Sequence, residues 1–244
     1  MTTMLKGLFK AALFSTLLLT LFSAGASARQ AGGREAQELI ARGNERYARA
    51  EYEAAIKVYA LVPAEAGEAY AQALHNIGVC RFELRQDVEA AAMYARAIEA
   101  RGGRYPKASY ALGVALEELG RASEAKASYA RAAAAGYAPA HYKLGMLAGA
   151  GGDVAGAAAH FREAVRRSKG KFPASHNNLG VMLARVGRLD EAEREFEAAL
   201  RESEGKFEEA SHNLRLCRTL LAAGRAGSGA AEMKVAAAAD GFSR

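Results

Sequence analysis

Laid over itself in steps of 35 or 32 residues, the chain brings Gly43, Gly78, Gly113, Gly145 and Gly180 into one column. Three more columns keep the same register: Ala55, Ala90, Ala125, Ala157 and Ala192; the rings Tyr59, Tyr94, Tyr129, Phe161 and Phe196; and Val62, Ala97, Ala132, Ala164 and Ala199. Self-similarity at this period describes one supersecondary unit that cannot hide its apolar face alone and must stack on copies of itself. The copy over residues 173–203 shows which unit. Leu179, Leu183 and Val186 stand three and four residues apart before Gly187; Leu189, Ala192, Phe196, Ala199 and Leu200 then form a second stripe opposite Glu191, Glu193, Arg194 and Glu195. That is the spacing of two amphipathic helices joined by a turn. Gly and Ala at fixed sites let helix backbones approach closely, and one ring per unit is expected to fill the gap between neighbouring pairs.

The columns, with the Leu-Gly pairs at Leu112-Gly113, Leu144-Gly145 and Leu179-Gly180, resemble the tetratricopeptide repeat over roughly Ala36 to Arg225. Two departures stand out. The chain has no Trp, and the site the family often gives to Trp holds Leu39, Leu74, Ser109, His141, His176 and Ser211. The family's proline after the second helix is also missing, although Pro63, Pro106, Pro139 and Pro173 all fall at expected helix boundaries, where a missing N–H costs least. The resemblance implies an all-α, right-handed superhelical solenoid of helix-turn-helix units at about 36–70, 71–105, 106–137, 138–172 and 173–207. The second helix of the first unit is expected over Tyr52–Val62. A helix over 208–224 lacks the ring and Ala columns and reads as a cap on the last unit. Residues 225–244, rich in Gly, Ala and Ser, read as a mobile tail whose Ala230–Ala239 stretch is compatible with a short helix.

The amino terminus is of another kind. Lys6 and Lys10 precede an apolar run from Ala11 to Phe22, and Ala26-Ser27-Ala28 supplies the small residues of a cleavage site. Residues 1–28 therefore read as a secretory signal cut after Ala28, followed by a linker over 29–35. The alternative is an uncleaved anchor through residues 11–28, a run short of the ~20 residues of a spanning helix. Without the signal, 31 basic and 27 acidic side chains remain, mixed along the helices, which favours solubility over a stripe for phosphate. The densest basic stretch, Arg162–Lys171, closes a helix, where cations complement the dipole. Cys80 and Cys217 fall at equivalent sites four units apart, too far for the ~7 Å of a disulfide.

No nucleophile, base or metal set converges in the pattern, so no catalytic residue, cofactor or metal is assigned. In a solenoid the continuous surface is the concave one, which the resemblance assigns to the first helix of each pair. The candidate partner-binding residues there are Asn44, Tyr47, His75, Val79, Phe82, Lys107, Tyr110, Val114, Tyr142, Met146, Asn177, Val181 and His212. A groove mixing rings, hydroxyls and aliphatic surface suits an extended or helical peptide. Some relatives clamp a terminal carboxylate with Lys, Asn and Arg; Asn44, Asn76 and Lys107 match three of those sites, but Ile40 and Ala111 replace two cations, so the clamp is not assigned. The expected function is a non-catalytic scaffold for another exported or envelope protein. A holder of unfolded exported chains and a non-catalytic subunit of a cell-wall or polysaccharide assembly complex are the alternatives.

Overall fold

The computed structural model describes residues 32–169, 171–224 and Met233. The expected signal segment and, apart from Met233, the tail lie outside the described residues. Within them are eleven α-helices and no strand: α1 (32–48), α2 (Tyr52–Tyr59), α3 (Glu68–Glu83), α4 (Asp87–Ala100), α5 (Pro106–Glu118), α6 (Ala122–Ala134), α7 (Ala138–Ala150), α8 (Val154–Arg167), α9 (Pro173–Arg185), α10 (Leu189–Glu202) and α11 (Glu208–Ala222). The largest interfaces join α3 to α4, α5 to α6, α7 to α8 and α9 to α10; the second helix of each pair then packs on the first helix of the next. First helices also touch directly, α3 with α5 and α9 with α11. The result is an all-α helical repeat solenoid.

The joint inside each pair is a ring laid on a glycine. A Cβ added at Gly43, Gly78, Gly113, Gly145 or Gly180 would stand less than 3.0 Å from ring carbons of Tyr59, Tyr94, Tyr129, Phe161 or Phe196 respectively. These rings therefore fill the seam within their own pair, sixteen residues after the glycine in every case, and not the gap between neighbouring pairs expected from sequence. Tyr129, Phe161 and Phe196 are among the largest fully buried side chains, and burying one such ring contributes about 1.5–3 kcal/mol. The Ala column, Ala55 to Ala192, is at most 1% exposed, so no larger side chain fits there without displacing a neighbouring helix.

Turns within pairs are uniform. The N–H of Arg121 bonds to Leu116 O at 2.8 Å and that of Arg188 to Leu183 O at 3.0 Å, around Gly120 (φ 70) and Gly187 (φ 77) in the left-handed region. The first two pairs make the same turn with Ala50 (φ 57) and Arg85 (φ 60), which accept strain that glycine avoids. Pro106, Pro139 and Pro173 occupy the first turns of α5, α7 and α9. Two expected boundaries move. Residues 32–35 belong to α1 and not to a linker, because a helix anchored by buried Ala36 and Ile40 extends outward at one hydrogen bond per residue. Helix α2 stops at Tyr59, short of Val62, and Pro63 instead opens a 3-10 turn over Ala64–Ala66.

Cys80 and Cys217 are free, and each is buried in a different core cluster. Two of the cations at the basic end of α8 share one carboxylate. Glu163 lies 2.5 Å from Arg166 and 2.6 Å from Arg167, and these guanidiniums hold its carboxyl down at about 2. Helix α9 is braced on α10 through His176, whose Nδ1 stands 2.6 Å from Glu195 and whose Nε2 stands 3.1 Å from Glu202.

Candidate functional site

The first helices carry one polar or apolar column after another onto a shared face, and the structure divides the thirteen candidate residues sharply. Asn44, Tyr47, His75, Val79 and Lys107 line one cleft of about 170 Å³, together with Tyr59 and Asn76. Its walls come from α1 and α3 with Lys107 from the start of α5. Tyr59 Oη donates to Asn44 Oδ1 at 2.7 Å, and Asn76 Nδ2 donates to the same oxygen at 3.2 Å. Tyr47 reaches Glu83 at 3.4 Å, and burial, followed by that carboxylate, pushes the phenol up to about 12. Lys107 is exposed at the rim and Val79 is half-buried. The cleft thus offers a cation, a side-chain amide and an aliphatic wall to one segment of chain.

His75 is 2% exposed, and neither ring nitrogen has a hydrogen-bond partner among the described residues. Burial, with a smaller push from Lys107, lowers its imidazole to about 3, so the ring is neutral at pH 7. It is held between two tilted rings: its centroid lies 5.4 Å from that of Tyr94 and 5.5 Å from that of Tyr105.

That sandwich repeats, and it corrects the expected groove. Tyr110 lies between Tyr129 (5.5 Å) and Tyr137 (5.4 Å), and Tyr142 between Phe161 (5.6 Å) and Phe172 (5.1 Å). In each case one partner is the ring of the same pair and the other sits immediately before the next first helix. Tyr110 is 6% exposed and Tyr142 3%, so these rings, like His75, are core and not peptide-facing. Replacing Tyr110 or Tyr142 with alanine would therefore report on packing. Phe82, 8% exposed, belongs to the cluster of Ala90, Ala91, Tyr94 and Ala115. Asn177 and Val181 are 0% exposed and also leave the free surface.

Val114 and Met146 remain half-buried on the first-helix face, and His212 lines a separate hollow of about 530 Å³ with Lys206, Glu209, Ser211 and Arg215 at the start of α11. The sequence reading missed a polar ladder one residue along from the sandwiched column. Asn213 Nδ2 donates to Asn177 Oδ1 at 2.9 Å, Asn177 Nδ2 to Asn178 Oδ1 at 3.1 Å, and Asn178 Nδ2 to Tyr142 Oη at 3.1 Å. Lys143 meets Glu117 at 3.0 Å. Asn76, Ala111, Lys143, Asn178 and Asn213 share one repeat column, polar at four of these five places, and that was the available signal. Among the described residues, no group of three or more His, Cys, Asp or Glu could hold a metal ion, and no helix is long and apolar enough to cross a membrane.

The fold has relatives among solved structures. A crystal structure of MamA is 23% identical with a TM-score of 0.54, covering 67% of this chain and 95% of that one. YrrB, described as a TPR protein with an unusual peptide-binding site, is 22% identical with a TM-score of 0.52, covering 73% and 91%. PilF of Pseudomonas aeruginosa is 17% identical with a TM-score of 0.58, covering 82% and 97%. No functionally curated protein matches the chain. Models of the tetratricopeptide repeat match residues 106–135 and 142–207, the stretch in which three successive pairs repeat the ring-on-glycine joint. The chain thus carries tetratricopeptide repeats over these two stretches, and the helix pairs before them repeat the same ring-on-glycine joint.

Proposed function

We propose that this protein is a non-catalytic docking scaffold that takes a segment of a partner protein along its first-helix face, entering at the cleft between α1 and α3. The observation that carries the reading is the convergence there of Asn44, Asn76, Val79 and Lys107 in one cleft open to solvent. Side-chain amides can satisfy a peptide main chain, Val79 can receive an apolar side chain, and Lys107 favours an acidic neighbour. The cleft's 170 Å³ is small for a drug-sized ligand but matches one or two side chains of a longer segment. That YrrB is described as having a peptide-binding site supports the same use of the fold here. The amino-terminal pattern of Lys6, Lys10, the apolar run and Ala26-Ser27-Ala28 supports export, so the partner is taken to be another exported or envelope protein.

The test is selection of displayed peptides against the full chain, followed by titration of the enriched peptides. Val79→Glu is expected to weaken them at least about tenfold, or ~1.4 kcal/mol, while Val88→Glu on the outer helix α4 leaves affinity unchanged. Equal loss with both substitutions, or none with Val79→Glu, would remove the assignment. Indiscriminate binding of unrelated denatured chains would point instead to a holder of unfolded proteins.

A further inference from the structure

Helix α9 differs from every other first helix in being buried on all sides: each residue from Ala174 to Ala184 is buried. Partners α8, α10 and α11 account for three sides of it. The fourth is the face that elsewhere lines the groove. At the same repeat position, Val79, Val114 and Met146 are half-buried, whereas Val181 is 0% exposed, and Asn177, Asn178 and Asn213 beside it are also 0% exposed. The one described residue beyond α11, Met233, is 5% exposed and belongs to the same buried cluster as Val181, Met182, Leu214 and Leu220. Eight residues separate it from Gly224, and such a stretch spans at most about 30 Å, enough to return from the end of α11 to α9.

We propose that Met233 is an internal ligand of the carboxy-terminal half of the groove, so that an incoming partner segment must displace it. Met233 brings an unbranched, polarizable side chain that adapts to an irregular apolar site, and in sequence it is flanked by Ala230, Ala231, Glu232, Lys234 and Val235. The segment that fits this half of the groove is therefore one anchored by a single flexible apolar side chain, Met or Leu. The amide ladder of Asn177, Asn178 and Asn213 supplies groups of the kind that hydrogen-bond a main chain. The two ends of the face thus differ, one open at the α1–α3 cleft and one self-occupied at α9. Displacement by a partner rests on the docking reading above; occupancy by Met233 does not.

A labelled peptide with the sequence of residues 226–240, titrated into the full chain, tests this. The wild-type chain should bind it weakly because its own copy competes, and the Met233→Asp chain should bind it at least about tenfold more tightly. A peptide carrying Asp in place of the methionine should bind neither. Equal affinity for the two chains, or binding by neither, would overturn the proposal. Should Met233→Asp disturb the fold, Met233→Cys and Val88→Cys chains, the latter at a 65%-exposed site, are compared by maleimide labelling, with each site read by mass spectrometry. Labelling at 233 should be at least about tenfold slower at all protein concentrations. Equal rates overturn the proposal, and protection found only at high concentration overturns it in favour of a second copy. If the 226–240 peptide binds but peptides selected for the α1–α3 cleft fail, self-docking stands and the scaffold reading falls; the converse outcome sinks self-docking alone.

Discussion

Phe196→Ala is expected to cost about 3–5 kcal/mol of stability, the range for removing a fully buried ring. Helices α9 and α10 meet over Gly180 through this ring, so its loss leaves a cavity that neither backbone can close without giving up the contacts on either side. Urea unfolding followed by circular dichroism reads the effect. The mechanism is specific enough to test with a second substitution. In the wild-type background, Gly180→Ala puts a methyl 2.6 Å from the ring, and the strain offsets the ~1 kcal/mol that alanine gains over glycine inside a helix. In the Phe196→Ala background that strain is gone and the gain returns. The two substitutions should therefore be coupled, each partly compensating the other. Additive effects would mean that the ring and the glycine do not form one joint.

Acidification is expected to destabilise the fold through His75. Its folded value of about 3 lies below the ordinary 6.5, so between those values the unfolded chain binds the proton and the folded chain does not. The contribution of neutral His75 is thus intact above about pH 6.5 and is lost progressively as pH falls towards 3. By pH 4.5 the loss from this residue alone is about 3 kcal/mol, two units at 1.36 kcal/mol each. His75→Tyr isolates it, because the equivalent positions of the next two pairs are Tyr110 and Tyr142, already held between two rings. The substituted chain should match the wild type at pH 7 and surpass it at pH 4.5 in urea midpoint. Carboxylates such as Glu163, which also titrate in acid, are common to both chains and cancel in the difference. Parallel losses in the two chains would show that His75 is not the sensor.

The ring and glycine columns were legible because sterics force them. A ring that must lie on a bare Cα sixteen residues earlier leaves the same two residues at the same spacing in every unit. Which seam the ring fills was not legible, since a column gives spacing but not partners. The groove was read less well for a related reason. His75, Tyr110 and Tyr142 sit on the first helices at positions that periodicity leaves open, and Tyr105, Tyr137 and Phe172 bury them from the connections. Nothing in helical periodicity says where a connecting turn will place its ring. Burial of Asn177 and Val181 was further out of reach, because it depends on how α8, α10 and α11 close round α9, which periodicity along one helix does not give. Asn44, Tyr47, Val79 and Lys107 stayed accessible because, over α1, α3 and the start of α5, the described chain lays nothing across them.

The claim on which the functional account turns is that a partner segment lies against the first helices and not the second. Placing a photo-crosslinking residue at Val79 on α3, or at the 65%-exposed Val88 on α4, and irradiating each full chain with a selected peptide tests that directly. The account predicts a peptide adduct from position 79 and none from position 88. An adduct at 88 with none at 79 would contradict it.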